Sequence, residues 1–109
     1  MAELTREAVL AMPADGDDPD INDLLTERLG LTFYRPYSAD LGDAEYVIDA
    51  MDARGFTDLM MDKRRTNAGG RAWRARFQRW ASASELSEYE ADADTAPLAI
   101  ARAAVLSTL

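Results

Sequence analysis

The chain has 109 residues, 48% of them hydrophobic, which suffices for one domain with a modest core of two layers. It contains no Cys and no His, which excludes disulfides, thiol catalysis and thiolate metal sites and removes the commonest general base. The net charge of -8 is uneven: residues 1–62 hold fifteen acids and four bases (-11), residues 63–80 seven bases and no acid (+7), and residues 81–109 five acids and one base (-4). The sequence therefore predicts an acidic protein with one basic segment, residues 63–80, which we call the basic strip.

The start of the chain, MAELTREAVLAM, is acidic and lacks the basic and long apolar regions of a secretory signal. No apolar run approaches the roughly 18 residues that a membrane-spanning helix requires. We therefore expect a cytoplasmic protein with no membrane partner. No pattern indicates a cofactor or a metal: the Asp-rich stretch DGDDPD departs from a calcium loop, since Asp20 and Thr26 stand where that loop needs Gly and Glu.

Residues 1–19 are predicted to be an acidic extension, and residues 20–109 to form a single domain. Within the extension, Thr5 is an N-cap candidate for a short helix over residues 6–12. The stretch ADGDDPD, residues 14–20, combines Gly and Pro with four Asp, which is the composition of a solvated linker.

The domain is predicted to begin with two helices. Asp20 caps the first, which carries apolar residues on one face and ends at Gly30. The second starts at Ser38 or Asp40 and ends at Gly55. Its apolar face, which must be covered by another element, consists of Leu41, Ala44, Val47, Ile48 and Met51.

Strands are predicted next. LTFYR, residues 31–35, is a candidate short strand, and FTDLMMDK (56–63) and RAWRARFQRW (71–80) flank turn-forming residues and so predict an antiparallel hairpin. A helix over the second segment stays an alternative because its aromatic residues also have helical spacing. In a strand, one face holds Trp73, Ala75 and Phe77 and the other holds Arg74, Arg76 and Gln78.

The end of the chain is predicted to be a polar, irregular segment over residues 81–94 followed by a last helix. Thr95 or Asp94 caps this helix, and Pro97 lies in its first turn, where a missing N–H costs nothing. The order of elements indicates an α+β fold in which a small antiparallel sheet is sandwiched between helices.

The basic strip is the first candidate site. Arg74 and Arg76 would point the same way with guanidinium groups about 6–7 Å apart, a spacing that suits a phosphate. The ring of Trp73, Phe77 or Trp80 could stack on a base. The alternative is that these arginines form surface ion pairs with acidic elements. The candidate ligand-binding residues are Arg71, Arg74, Arg76, Arg102, Trp73, Phe77 and Asn67.

Arg102 is the second candidate, because it stands within the apolar part of ADTAPLAIARAA. An isolated buried charge costs several kcal/mol, so the guanidinium must find an anion or reach the rim of the helix. An internal ion pair with a helix acid, or exposure at the outer edge, is the alternative to a ligand site. No catalytic constellation is evident, since nothing places the carboxylates of the second helix in an apolar pocket.

Four stretches, DINDLLTERLGL, PYSADLGDAEYVIDAMDARG, RAWRARFQRW and ADTAPLAIARAAVL, give residues 20–108 a resemblance to the phage ABA sandwich domain family of small phage and prophage proteins. The resemblance implies a sheet between helical layers. More distantly, the architecture is similar to that of phage sponge proteins that sequester the cyclic nucleotide signal of the Thoeris defence system. That similarity implies ligand binding by Arg, Asn and aromatic side chains at subunit junctions, and Arg102 occupies a suitable position on the last helix.

These observations predict a non-enzymatic phage accessory protein in the bacterial host cytoplasm that sequesters a small phosphorylated, cyclic nucleotide. The alternative is an acidic inhibitor of a host defence complex, in which the -11 segment mimics nucleic acid and occupies a basic groove. A structural phage protein without a ligand is a third hypothesis. Long duplexes should not bind, because the acidic flanks repel them. We also expect a homo-oligomer, since the apolar residues of the last helix exceed what one small sheet can cover.

Overall fold

The computed structural model describes residues 4–13, 21–31, 35–65 and 71–109. In chain order, its elements are α1 (Arg6–Ala11), α2 (Ile21–Arg28), α3 (Leu41–Ala53), β1 (Asp58–Arg65), β2 (Arg71–Ser82), β3 (Glu85–Ala93) and α4 (Ala96–Leu106). The strands form one antiparallel sheet in the order β1-β2-β3. The predicted α+β fold with a small antiparallel sheet and helices packed against it is confirmed; among the described residues, α4 covers one face of this sheet and the other face is at the surface. None of the helices in the described ranges has the length and apolar character needed to cross a membrane.

The helices begin and end close to where the sequence predicts. Thr5 and Asp40 cap α1 and α3, each accepting a hydrogen bond from the backbone N–H three residues on, at 3.2 and 3.0 Å. Gly30 and Gly55 follow α2 and α3 with φ of 67° and 93°, the left-handed conformation that glycine adopts without strain. Leu41, predicted on the apolar face of α3, is instead exposed, because it occupies the first turn beyond the reach of the core.

Helix α4 is the centre of the core. Its inward side packs on β2 and β3, while α1, α2 and α3 contact its remaining surface. All of its residues except Ala96 and Arg102 are buried. The apolar surface that led us to expect a homo-oligomer is therefore covered within one chain, and this argument for oligomerisation is wrong; the oligomer itself stays a prediction.

The N-terminal helix α1 belongs to this core. Val9 is fully buried and Leu10 packs against the core, and α1 lies beside α4. The sequence predicts residues 6–11 as part of an acidic extension, but one short helix with an apolar side gains more by packing on α4 than by remaining in solvent. The predicted linker over residues 14–20, the predicted cap Asp20 and most of the candidate strand 31–35 lie outside the described residues.

The prediction of an irregular segment over residues 81–94 is wrong, because most of these residues complete β2 or form β3. A short turn joins the two strands, with a register irregularity between Trp80 and Ser82. Tyr89, Ala91 and Ala93 face the core and alternate with acids that face outward. The inward residues are mostly Ala, which carries little hydrophobic signal, so the alternation is weak in sequence although the strand is well paired.

Candidate functional site

The sheet has two unlike faces. The inner face lies on α4, whereas the opposite face, which we call the outer sheet face, is at the surface among the described residues. Among the residues whose side chains the structure describes, alternation assigns to it three residues of β1, five of β2 and four of β3. They are Asp58, Met60, Asp62, Ala72, Arg74, Arg76, Gln78, Trp80, Leu86, Glu88, Glu90 and Asp92.

A ladder of charged and polar pairs crosses this face from β2 to β3. Arg74 donates from Nε and Nη2 to the two carboxylate oxygens of Asp92, at 2.7 and 3.1 Å. Arg76 donates from Nε and Nη2 to Glu90 Oε2, at 3.0 and 2.9 Å. The bonds from Arg74 to Asp92 raise the pKa of Arg74 above its usual value. Both guanidinium groups of the proposed phosphate site are thus already engaged by carboxylates of their own chain.

Trp73 and Phe77, two of the three candidate stacking residues, lie on the other side of the sheet. Phe77 is 0% exposed and belongs to the core, so its ring is not open to a base in this structure. Trp73 is half-buried on the same inner face, with Lys63 Nζ 5.3 Å from its ring centroid. Arg74 and Arg76 are therefore brought together without the rings of Trp73 and Phe77, whereas the third candidate, Trp80, shares their face of the sheet.

Arg102 lies where the end of α1 meets β3. Its Nε and Nη2 donate to the carbonyl oxygen of Met12 at 3.1 and 2.7 Å, and its Nη1 donates to the carbonyl oxygen of Asp92 at 2.8 Å. Burial lowers the pKa of Arg102, and the charge of Asp94 opposes that shift. We expected a phosphate, a helix carboxylate or free solvent; the guanidinium instead binds two backbone carbonyls, a pairing that residue types alone do not reveal.

The described part of the molecule does not include the side chains of two predicted site residues. Asn67 lies outside the described residues. Arg71 begins β2, but its side chain also lies outside the described part of the molecule.

The sequence indicates Trp80 as a candidate stacking residue, but it does not indicate the residues of β1 and β3 that lie near Trp80 on the outer sheet face. The sequence places Glu90 and Asp92 in an irregular segment and so gives no sign of their pairing with the basic strip. Trp80 and Leu86, 58% and 38% exposed, are directly opposite each other on the outer sheet face, and Met60 of β1 is 46% exposed on the same face. The available signal was the alternation of Tyr89, Ala91 and Ala93 with the acids between them, which has the period of a strand.

The described surface has one cleft beside the charged pairs of the sheet and another on α3. One, of about 240 Å³, lies between α1 and β3 and is lined by Arg6, Leu10, Arg74, Glu90, Ala91 and Asp92. Its two arginines are balanced by two acids. The other, of about 230 Å³, lies on the exposed side of α3, lined by Gly42, Glu45, Tyr46 and Asp49. Among the described residues, no group of acids is arranged to hold a metal ion.

Comparison of the chain with protein-family models, with curated protein sequences and with solved structures finds no match.

Proposed function

We propose that this protein acts by binding a basic protein partner, without catalysis. The observation that carries the proposal is the pairing of Arg74 with Asp92 and of Arg76 with Glu90. This pairing neutralises the two described guanidinium groups of the outer sheet face and leaves an excess of acids there. A basic protein is the class of macromolecule to which such a surface is complementary.

Acidic side chains outnumber basic ones on the outer sheet face, and further acids are exposed on α3. The outer sheet face has five acids against the two guanidinium groups described there. On α3, three further acids are exposed, namely Glu45, Asp49 and Asp52. Long-range attraction from a net charge of -8 accelerates encounter with a cationic partner and fades as salt is added.

The resemblance to small phage proteins supplies the setting for the proposal: a bacterial host cytoplasm in which the partner belongs to a defence complex. Basic grooves of such complexes hold nucleic acid, and an acidic protein that occupies the groove would exclude it. The partner is thus proposed to be a nucleic-acid-binding protein.

Sequestration of a phosphorylated nucleotide is the second candidate, and one observation favours it. Arg6 has no ion-pair partner among the described residues, and it lines the cleft that Arg74 also reaches. A phosphate in this cleft would have to compete with Asp92 for Arg74, which is why we place this function second.

The test has two arms. The immobilised protein is exposed to bacterial lysate, and bound proteins are released first with added duplex DNA and then with salt; in parallel, thermal melts are recorded with linear and cyclic nucleotides. We expect DNA to release a basic nucleic-acid-binding protein and the nucleotides to leave the Tm unchanged. Bound proteins that salt releases but DNA does not would contradict the proposal.

The nucleotide arm separates the two functions. A Tm increase with a nucleotide that Arg6→Gln abolishes, without DNA-sensitive capture, would replace the proposed function by sequestration. Glu7→Gln, on the same helix and outside the cleft lining, is the matched control and should leave such a shift intact.

A further inference from the structure

The outer sheet face combines apolar and acidic side chains in ordered rows. Trp80 is opposite Leu86, and the next row along the strands is Asp58, Gln78 and Glu88. Alternate residues on a strand are about 6.8 Å apart, and opposite side chains on neighbouring strands have Cβ atoms about 5 Å apart. Trp80 and Leu86 thus form one contiguous apolar end, bordered by a row with carboxylates at both sides.

The next row continues the pattern. Met60 is opposite Arg76, whose guanidinium is directed to Glu90. Met60 is therefore a second exposed apolar point beyond the acidic row. An exposed Trp beside Leu and Met is the kind of group that contributes most to a protein interface, because it buries a large area at low entropic cost.

Charge decides which occupant fits. Asp58 and Glu88 form no ion pair within 4.0 Å among the described residues, although Glu88 accepts a hydrogen bond from Gln78. A second copy of the chain would present the same excess of acids, and like charges that face each other are destabilising. A segment with apolar side chains flanked by Lys or Arg satisfies both components, and an Arg could also stack on the Trp80 ring.

We propose that the outer sheet face is the docking surface for a basic amphipathic segment of the partner, with Trp80 as its anchor. The inference rests on the proposed function and gives it a location. It also accounts for the exposure of Trp80, Leu86 and Met60 on the sheet face that α4 does not cover, because the bound partner would bury these side chains.

The probe is a synthetic helical peptide of Leu and Lys in which the Leu residues share one face and Lys residues flank them. The sequence has two Trp residues, so Trp73→Phe leaves Trp80 as the single Trp, and its fluorescence then reports on the outer sheet face. Peptide binding should shift that emission to shorter wavelength. The same peptide with every Lys replaced by Glu is the charge control and should not bind.

Affinity is then compared in the wild-type background. Trp80→Ala should weaken peptide binding about tenfold or more, whereas Tyr46→Ala, which truncates a comparably exposed aromatic on α3, should have little effect. Asp58→Asn with Glu88→Gln should weaken it about fivefold at low salt, while Glu45→Gln with Asp49→Asn should change it less. Circular dichroism melts verify that each variant is folded; because Trp80 is mostly exposed, its truncation should leave the fold intact.

The outcomes distinguish this inference from the function on which it rests. Peptide binding that is equally sensitive to the acids of α3 and insensitive to Trp80 would overturn the docking surface while leaving a basic partner in place. If neither the peptide nor a DNA-sensitive basic protein binds, the proposed function fails as well. A dimer that Trp80→Ala converts to monomer would show that a second copy occupies this face, which would also overturn the inference.

Discussion

Replacement of Arg102 by Met tests whether this guanidinium is a structural clamp. Met keeps helix propensity and apolar volume but removes every hydrogen-bond donor of the side chain. The change leaves the carbonyls of Met12 and Asp92 without their charged donor. Charge-assisted bonds are worth about 1.5–3 kcal/mol, but these carbonyls are partly accessible to water and a desolvated charge is removed, so the net loss should be about 1.5 kcal/mol.

Thermal melts and hydrogen exchange measure the effect. For a chain of this length, a loss of that size should lower the Tm by about 7 °C. Because the bond to Met12 holds the end of α1, amides of α1 should exchange faster, while those of the β1–β2 pair should be little changed. Arg102→Lys keeps the charge but cannot span both carbonyls and should lose an intermediate amount. An Arg102→Met protein as stable as wild type, with α1 equally protected, would refute the clamp.

Three further changes test the local physics of the fold. Asp40→Ala should lower the free energy of unfolding, measured with urea, by about 1 kcal/mol, because it removes the N-cap hydrogen bond of α3. Thr95→Ala should lower it clearly less, because the Thr95 side chain makes no cap hydrogen bond among the described residues. Asn22→Ala should lower the free energy of unfolding by about 1–3 kcal/mol, because Asn22 is buried and its Oδ1 accepts a hydrogen bond from the buried N–H of Ser38 at 2.9 Å. An unchanged urea midpoint would contradict this. Burial raises the pKa of Tyr37 above its usual value of 10.0, so the unfolded chain loses this proton first. The contribution of Tyr37 to the free energy of unfolding should therefore be constant below pH 10.0 and fall above it, and Tyr37→Phe should lessen that fall in urea unfolding at alkaline pH.

The sequence alone predicts the helices and favours the central strand, because the signals of these elements are local. An N-cap acts within three residues, and a glycine that ends a helix needs no distant partner. The alternation in RAWRARFQRW alone also places Trp73 and Phe77 on the opposite side of the strand from Arg74 and Arg76. The same alternation already implies that one ligand could not easily touch both sets.

The remaining features depend on pairing between distant residues. Strand β3 buries small Ala side chains, so its stability comes from pairing with β2 and packing on α4 rather than from its own hydrophobicity. Without that strand, the acids that engage Arg74 and Arg76 could not be assigned. Arg102 binds carbonyls of Met12 and Asp92, and every residue has a carbonyl, so no residue type marks the partner.

A titration of the isotopically labelled protein followed by amide chemical shifts tests the central claim most directly, namely that the surface binds a basic partner rather than a nucleotide. The Leu–Lys peptide should produce saturable shifts centred on Trp80, Leu86 and their strand neighbours, weakened by salt, while cyclic and linear nucleotides should produce none. Saturable nucleotide shifts around Arg6 and Arg74, with no response of the sheet to the peptide, would contradict the account.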